Sequence, residues 1–483
     1  MHLRIVSNTS LSALVLLLAG CAVSKDYEKP MVSTPVDYQF DPLEGEDMPG
    51  ATETDRWWER FEDPILDQLL ALLEVQNPSL LAARARVDQA RATLGVSRSA
   101  LYPELAADGS VAYARDQFQP DDEWIYNVGA AASYEVDLWG RVQRGVEASM
   151  ADLQATDADA AAVRLALQAD LATAYYSLRF VDAEIDLFDN SIELRVRQLE
   201  LVQSQYDAGQ VSRLALAQAE TELARVRSQR IGLNRTRVDF ENALAILVGL
   251  APQDFDIEPL DLASPVPMVP PGIPSELLRR RPDIVTIERL MASAHARIGV
   301  AEADFYPRLL INGSGGYLTT SAGDLFAGGS NSLFSIGPAV SVPLFTGGRL
   351  ESNLEFADAA YAETFENYRA TILNAFREVE NSLNAQQVLA EQEVAQRVAV
   401  EAAQNAARIS TLRFEQGLVS YLEVVDSERA RLEEEEILLQ VQRDRYLASV
   451  FLVRALGGGF DESQLALYSS SYHVSENDEE QGG

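Results

Sequence analysis

The sequence predicts a mixed fold in which long α-helices are combined with membrane-spanning β-strands, arranged as two tandem copies of one unit. Three observations support this prediction: landmarks that recur 204 to 208 residues apart, paired segments in which apolar and polar side chains alternate, and long stretches with helical periodicity. A hydrophobic content of 47% is ample for a folded core, so the formal net charge of −35 does not indicate disorder.

The composition argues against several classes of function. The chain has three histidines and one cysteine, whereas a structural zinc site needs about four such ligands close together. With 74 acidic against 39 basic side chains, a phosphate-binding surface is not expected, and we expect no nucleic-acid partner. His2, His295 and His473 belong to no catalytic set, so we expect no enzymatic activity and no metal.

Residues 1–20 have the form of a secretory signal peptide. Their apolar run, 11–19, is shorter than the roughly 20 residues that span a bilayer. The run ends in Leu-Ala-Gly directly before Cys21, the pattern of a bacterial lipoprotein cleavage site; the alternative is a plain signal peptide with an incidental cysteine. We expect Cys21 to carry a diacylglycerol and an N-palmitoyl group as its only covalent additions. Ala22, rather than aspartate, favours sorting to the outer membrane.

The body of the chain is a tandem repeat. Tyr102-Pro103 resembles Tyr306-Pro307, and Gly140-Arg141 matches Gly348-Arg349. Further matches pair Gly95-Val96 with Gly299-Val300, Asn77-Pro78 with Arg281-Pro282, Tyr206-Asp207-Ala208-Gly209 with Phe414-Glu415-Gln416-Gly417, and Leu247-Val248-Gly249 with Ala455-Leu456-Gly457. The predicted division is a signal peptide at 1–20, a lipid-anchored extended segment at 21–63, a first repeat at 64–249, a proline-rich linker at 250–276, a second repeat at 277–460 and an acidic tail at 461–483.

Each copy opens with a helical stretch, about 64–100 and 276–304, followed by two strands. We predict strands at about 104–116 and 124–138 in the first copy, and at about 308–320 and 333–345 in the second. The second strand of each copy has one apolar face, and the intervening turns are polar. Pro338 within the last strand is unusual, because proline cannot donate to a ladder.

A long helical hairpin closes each copy. The stretch 141–207 has no proline, and as a helix its 67 positions would extend about 100 Å. Gly209 ends it, and a returning helix runs to about Val248; in the second copy Gly417 precedes a helix at 418–456. Glycine is expected at these reversals because they need a left-handed backbone.

Four strands of this length can cross a bilayer but cannot close a barrel alone. Open strand edges are not tolerated in lipid, so the chain is expected to oligomerise. The alternative from the strand pattern is a soluble sandwich; aromatic residues near the strand ends, such as Trp124 and Phe345, favour a membrane barrel. The helices are too long and polar to lie in a bilayer, so they are expected to project from it.

Several motifs resemble those of TolC-type outer-membrane factors, in the NodT/OprM-like lipoprotein branch that serves resistance-nodulation-division efflux systems. They extend over nearly the whole mature chain. The matching stretches are Trp57-Trp58 with Phe61-Glu62-Asp63-Pro64, Leu138-Trp139-Gly140-Arg141, Leu278-Arg279-Arg280-Arg281-Pro282-Asp283-Ile284, Phe305-Tyr306-Pro307, Pro343-Leu344-Phe345, and Ala455-Leu456-Gly457-Gly458-Gly459.

The resemblance implies a homotrimer in which four strands per chain close a 12-stranded outer-membrane β-barrel on a long periplasmic α-helical barrel. It implies a passive exit duct for small toxic compounds. The partners would be a periplasmic adaptor protein, an inner-membrane transporter of the resistance-nodulation-division type, and outer-membrane lipid. Two alternatives remain: a duct for type I protein secretion, whose members usually lack the lipid anchor, and a structural periplasmic lipoprotein without a pore.

Leu422, Asp426 and Arg429 are spaced i, i+4 and i+7, so they share one helix face. From the residues alone, Asp426 and Arg429 form an ordinary surface pair. The resemblance implies a periplasmic gate, in which Leu422 forms a hydrophobic constriction and the two charged residues belong to the gating network. The first-copy equivalents are Leu214, Gln218 and Thr221, so only the leucine recurs. In a trimer, three Asp426 carboxylates would form a ring that favours cations.

The hairpin tips are the expected contact for the adaptor. In the first copy we assign this contact to Gly209, Val211, Ser212 and Leu214, and in the second copy to Gly417, Val419, Ser420 and Tyr421.

Overall fold

The structure is a computed structural model that describes residues 25–40, 56–116, 119–260, 266–267, 269–270, 272, 274–326 and 331–463. The predicted signal peptide, Cys21, His473, parts of the linker and most of the acidic tail lie outside the described residues. The chain divides into two units. One, here called the strand unit, falls within Met1–Val32, Ala85–Ala158 and Val285–Thr371; the other, the hairpin unit, falls within Ser33–Arg84, Asp159–Ile284 and Ile372–Gly483.

The same order of elements occurs twice, which confirms the tandem repeat. In the first copy it runs α1 (Pro64–Gln76), α2 (Pro78–Ser99), β1 (Glu104–Asp116), β2 (Gln119–Val136), α3 (Arg141–Asp207) and α4 (Arg213–Leu247). In the second copy it runs α5 (Leu277–Arg280), α6 (Pro282–Ala303), β3 (Arg308–Thr319), β4 (Ser332–Ser341), α7 (Arg349–Glu415) and α8 (Tyr421–Leu456).

Several predicted boundaries were wrong for identifiable reasons. The first helix of each copy is broken in two, because the residue before a proline avoids the helical region: Asn77 has ψ 119° and Arg281 has ψ 117°. β2 begins at Gln119 rather than 124, because its backbone stays paired with β1 despite the polar side chains. β4 ends at Ser341 rather than 345, because Pro343 follows and has no backbone N–H to donate to a strand ladder.

The last helix, α8, begins at Tyr421 rather than Leu418. Ser420 has an extended backbone (φ −77°, ψ 159°) at the position that precedes the first helical turn. The residue before the first helical turn has a non-helical backbone, so the helix starts only at Tyr421. Leu418 and Val419 therefore belong to the reversal between α7 and α8.

The four strands form one antiparallel sheet in the order β1–β2–β3–β4. The central pairing, β2 with β3, joins the two copies, with Tyr134 opposite Ile311 and Ala132 opposite Gly313. Pro338 lies opposite Ile311 in β4, which is an edge of the sheet, where a missing backbone donor is tolerated.

The register places most of the larger apolar side chains on one face of the four strands. That face is formed by Leu105, Val111, Tyr113, Trp124, Tyr126, Val128, Tyr134, Val136, Leu309, Ile311, Tyr317, Phe334, Ile336 and Val340. Many of these side chains are exposed, for example Phe334 at 83% and Ile336 at 69%. The opposite face has mainly small and polar residues such as Asp108, Asn127 and Ser314, and its larger apolar members are Ile125, Leu310, Leu318 and Leu333. The predicted two-faced alternation is confirmed, and it leaves an apolar face uncovered by the described chain.

The core of the hairpin unit is built around the aromatic motif that precedes α1. Trp57, Trp58 and Phe61 are buried, and the indole nitrogen of Trp57 donates to Gln168 at 3.1 Å. The Asp63 carboxylate caps α1 by accepting from the backbone nitrogens of Ile65 and Leu66. None of the described helices combines the length and apolar character needed to cross a membrane.

In the hairpin unit, the start of each copy is hydrogen-bonded to the end of its own helical hairpin, and each of these two contacts is here called a joint. In the second copy, the Arg281 guanidinium donates to the Ala455 carbonyl at 3.0 Å and to the Asp283 carboxylate at 3.0 and 2.7 Å. In the first copy, Asn77 donates to the Leu247 carbonyl at 2.8 Å. The short Asn77 side chain and the long Arg281 side chain thus make the same kind of contact, with a carbonyl at the end of the hairpin of their own copy. Through Arg281, the Arg-Arg-Pro-Asp-Ile motif packs against the glycine-rich end of α8.

Glycine is required where each joint closes. Gly249 and Gly457 have φ of +79° and +98°, a region that side chains disfavour. A Cβ atom on Gly249 would lie 2.5 Å from the Gln76 carbonyl oxygen, and one on Gly457 would overlap the Arg280 carbonyl. The two glycines let the start of each copy approach the end of its hairpin.

We predict that Gly249→Ala and Gly457→Ala each lower the midpoint of thermal unfolding of the full chain in detergent. The cost should exceed about 2 kcal/mol, because the left-handed backbone adds to a backbone overlap. Gly95→Ala is the matched control: Gly95 lies within α2, and a methyl group added there would meet no atom within 4 Å, so alanine should be neutral or slightly stabilising. Equal midpoints for all three variants would contradict the role of the joints.

Candidate functional site

The two hairpin tips have the same backbone geometry. Gly209 and Gly417 both have φ of +72° and close the reversal after α3 and after α7. In each tip the backbone nitrogen after the glycine donates back across the last helical turn: Gln210 to the Gln205 carbonyl at 2.8 Å, and Leu418 to the Arg413 carbonyl at 2.9 Å. This is the usual glycine ending of a helix, and it confirms the predicted left-handed reversals.

The tips share one small hydrophobic core within the hairpin unit. Its buried members come from both copies: Val202, Ala215, Leu216, Ala219, Phe414, Tyr421, Val424 and Val425. The rings of Phe414 and Tyr421 lie 5.3 Å apart, centroid to centroid. Beside them is an open cavity of about 490 Å³ lined by residues of both reversals, including Val211, Ser212 and Val419. The two tips therefore form one structural element rather than two independent loops.

Most of the predicted contact residues lie on the tip surface, but one does not. Gly209, Ser212, Leu214, Gly417 and Ser420 are exposed. Val211 and Val419 are half-buried at the edge of the cavity. Tyr421 is only 4% exposed, and burial raises the pKa of its hydroxyl to about 12. The Tyr421 ring therefore stabilises the tip from inside, and its side chain does not lie on the surface.

Leu422, Asp426 and Arg429 lie on one exposed face of α8, as their spacing predicts. They do not form a simple surface pair. In the described residues the ion pair of Arg429 is with Glu222 of α4, whose carboxylate oxygen Oε1 accepts from Arg429 Nε at 3.1 Å and from Arg429 Nη2. The pair ties α8 of the second copy to α4 of the first.

The first-copy equivalents of the predicted gate residues lie across a groove from Leu422 and Arg429. The groove has a volume of about 220 Å³, and its walls belong to α4 and α8. Leu214, Ala217, Gln218, Thr221 and Glu222 line one wall, and Leu422, Val425 and Arg429 line the other. Arg429 spans the groove, so the internal repeat brings the two leucine positions to a single site.

Glu222 is the centre of the electrostatics at this site. It is buried, and arginines from three helices surround its carboxylate: Arg429 on α8, Arg225 on α4 with Nη2 at 3.1 Å from Oε2, and Arg195 on α3 with Nη1 at 3.7 Å from Oε2. Burial acts to raise the pKa of Glu222, but the hydrogen bond from Arg429 and the charge of Arg225 outweigh it and hold the pKa below its usual range. Glu222 is thus a buried anion at neutral pH.

The sequence prediction missed Glu222, although the pattern contains a signal for it. The buried side of α4 follows Ala215, Leu216, Ala219, Glu222, Leu223 and Val226. A glutamate in the middle of an apolar stripe is unusual, because an unpaired carboxylate there costs several kcal/mol. Glu428 occupies a comparable buried place on α8, where Gln198 Nε2 of α3 donates to its carboxylate at 3.5 Å. Buried charged residues on the apolar faces of these helices therefore indicate polar contacts between one helix and another.

No cluster that could hold a metal ion occurs among the described residues. His295 packs edge-on between the rings of Tyr27 and Tyr361, each 5.7 Å away. Burial lowers the pKa of His295, which keeps the imidazole neutral near pH 7. His295 is therefore a half-buried packing residue of the strand unit.

We predict that Tyr421→Ala loosens the hairpin tip, whereas Leu418→Ala does not. Tyr421 fills the shared tip core, and truncating a buried aromatic costs about 3–5 kcal/mol. Leu418 is 64% exposed on the same reversal and is the matched control. Limited trypsin digestion should cleave after Arg413 faster in Tyr421→Ala than in the parent chain. Equal cleavage rates in both variants would argue against a packed tip.

Comparison with known proteins places the chain in a family. The profile of the outer membrane efflux protein family matches it twice, over residues 69–250 and 273–458. The solvent efflux pump outer membrane protein SrpC of Pseudomonas putida is 32% identical over 465 residues, which cover 93% of this chain and 98% of SrpC.

Solved structures agree with the sequence relatives. The outer-membrane channel OprN superposes with a TM-score of 0.84 at 28% identity, covering 91% of this chain and 99% of OprN. The open state of the MtrE outer membrane channel of Neisseria gonorrhoeae superposes with a TM-score of 0.82 at 30% identity, covering 92% of this chain and 99% of MtrE. The resemblance found in the sequence motifs is confirmed: the chain belongs to the outer membrane efflux protein family, as an outer-membrane channel of a tripartite efflux pump that extends into the periplasm.

Proposed function

We propose that the chain works as a homotrimer that provides a passive exit duct for small toxic organic compounds. The observation behind this proposal is the four-stranded sheet with an uncovered apolar face. β1 and β4 are its two edges, and open edges are not stable in lipid. Three such sheets joined edge to edge would close a 12-stranded barrel. The relative SrpC is named for solvent efflux, which supports small organic compounds as the cargo.

The partners of this duct would be a periplasmic adaptor protein and an inner-membrane transporter of the resistance-nodulation-division type. The adaptor would bind the hairpin tips, where Leu214 and Leu418 are 67% and 64% exposed beside the cavity shared by both reversals. The transporter would supply the energy, and the duct would perform no chemistry. The tip is suited to docking because its backbone is fixed by two glycine reversals and one common core.

The same face of α8 would form the periplasmic gate. Leu422 is 48% exposed, and Asp426 is also exposed, so a single chain leaves both side chains uncovered. In a trimer three copies of this face would converge, with Leu422 as the hydrophobic constriction and Asp426 as a ring of negative charge. Arg429 would hold α8 against α4 through Glu222, which keeps the constriction narrow.

We predict that Leu422→Ala raises the single-channel conductance of trimers in planar bilayers at least about twofold, because a steric seal is removed. Asp426→Ala should reduce selectivity for cations over anions, because the charged ring is lost. Leu418→Ala is the matched control and should change neither property, because Leu418 is an exposed leucine of the same reversal that does not line the groove. Unchanged conductance and selectivity in both α8 variants would refute the proposed gate.

The lipid anchor is a separate part of the proposal. Cys21 is the single cysteine of the chain and follows the Leu-Ala-Gly pattern of a lipoprotein signal. We predict that cells grown with an alkyne analogue of palmitate incorporate label into the parent chain but not into Cys21→Ala. A mature protein that begins at another residue, or label that persists in Cys21→Ala, would show that the cysteine is incidental.

A further inference from the structure

Arg195 of α3 is in an unusual state for an arginine. It is only 2% exposed, and its Nε, Nη1 and Nη2 atoms are all buried with no hydrogen-bond partner among the described residues. A guanidinium carries five N–H donors, and buried donors are nearly always satisfied. Burial also lowers the pKa of Arg195 below its usual range. The structure therefore keeps a costly, unsatisfied cation inside the hairpin unit.

Arg195 forms an ion pair with Glu222 but does not reach hydrogen-bonding distance. Its Nη1 lies 3.7 Å from Glu222 Oε2, whereas a hydrogen bond of this kind is about 2.7–3.2 Å long. Both oxygens of Glu222 already have donors. Oε1 accepts from Arg429, and Oε2 accepts from Arg225 Nε and Nη2 at 3.2 and 3.1 Å. Arg195 is next to the carboxylate and is excluded from it by the other two arginines.

If α4 and α8 moved apart, the contacts of the three arginines with Glu222 would change in different ways. Arg225 is three residues from Glu222 on the same helix, so its contact would survive. Arg429 is on α8, so its contact would break, and Oε1 would lose its donors. A buried carboxylate that loses its partner costs several kcal/mol. Arg195 lies on a third helix and is the neighbouring cation that still has unused donors.

We infer that Arg195 is the standby counter-ion of Glu222: when α8 separates from α4 and Arg429 leaves, the Arg195 guanidinium bonds to the freed carboxylate. This inference rests on the proposed gate only in taking that separation as the opening motion. It explains why an unsatisfied arginine is kept in the joined state. The Arg195 guanidinium lacks hydrogen-bond acceptors while α4 and α8 are joined, and it gains the Glu222 carboxylate when they are apart. Arg195 is thus a positioning residue that lowers the free-energy difference between the joined and separated states.

The experiment is amide hydrogen exchange on the full-length trimer in detergent, followed over residues 214–222 of α4 and 422–429 of α8. Arg195→Met removes the unsatisfied guanidinium and should slow exchange in both segments about tenfold, because the joined state is relieved of that cost. Arg195→Lys keeps the charge and should exchange at close to the parental rate. Arg429→Ala should speed exchange in both segments.

The control that separates this role from simple repacking is the Glu222→Gln background. A neutral side chain at this position needs no standby cation, so Arg195→Met should there change exchange by less than about twofold. An effect of Arg195→Met that is equally large in both backgrounds would overturn the inference, as would unchanged or faster exchange in Arg195→Met alone. If Arg195→Met does not assemble, Arg195→Gln is tested in the same two backgrounds under the same criteria.

Conductance distinguishes this inference from the proposed gate. Slower exchange in Arg195→Met together with a lower open probability would support both. Slower exchange with unchanged conductance would uphold the standby role and show that separation of α4 from α8 is not the opening motion. Unchanged exchange with altered conductance would overturn the standby role while leaving the gate in place.

Discussion

Backbone hydrogen bonding in lipid is the constraint on which the rest of the structure depends. A sheet of four strands satisfies its inner backbone groups but has two edges, β1 and β4. Water cannot satisfy those edges within a bilayer, so in the proposed trimer each sheet is one segment of a larger wall. The internal repeat follows the same logic, because a single copy supplies two strands and pairing across copies through β2 and β3 doubles the segment. The sheet register, the uncovered apolar face and the proposed assembly of three chains all agree with this one requirement.

The two copies share their backbone geometry at equivalent positions but differ in the side chains there. At the joints, Asn77 and Arg281 both reach a carbonyl at the end of the following hairpin, although one side chain is short and neutral and the other long and charged. At the tips, both reversals use a glycine with the same φ of +72°. The charges along the helices have diverged more: Glu222 has no acidic counterpart 208 residues later, where Ala430 stands. Each copy therefore brings different groups to the contacts between helices.

The sequence predicted the fold well because periodicity and repetition report backbone structure directly. The limits of α3 were predicted correctly, since Gly140 directly precedes the helix and Gly209 follows shortly after its end. The start of β2 was missed because side-chain polarity does not reveal where a ladder of backbone bonds ends. The spacing predicted the shared face of Leu422, Asp426 and Arg429, and the residues alone favoured a surface pair of Asp426 with Arg429. In the structure Arg429 instead bonds to Glu222 on α4. Pairing across copies depends on how helices rotate against each other, and a single sequence does not specify that rotation.

The central β2–β3 pairing also has a consequence for how the molecule is made. Tyr134 faces Ile311, and Val128 faces Tyr317, so the middle of the sheet joins residues that are 177 and 189 positions apart. Contacts of such long sequence separation form slowly, because a large loop must close before they contribute any stability. The first hairpin can pair as soon as β1 and β2 have emerged, but it remains an incomplete ribbon with an unpaired edge until the second copy has been synthesised and exported. During that interval the apolar face of β1 and β2 is a site for aggregation, and the cell must keep it shielded from water.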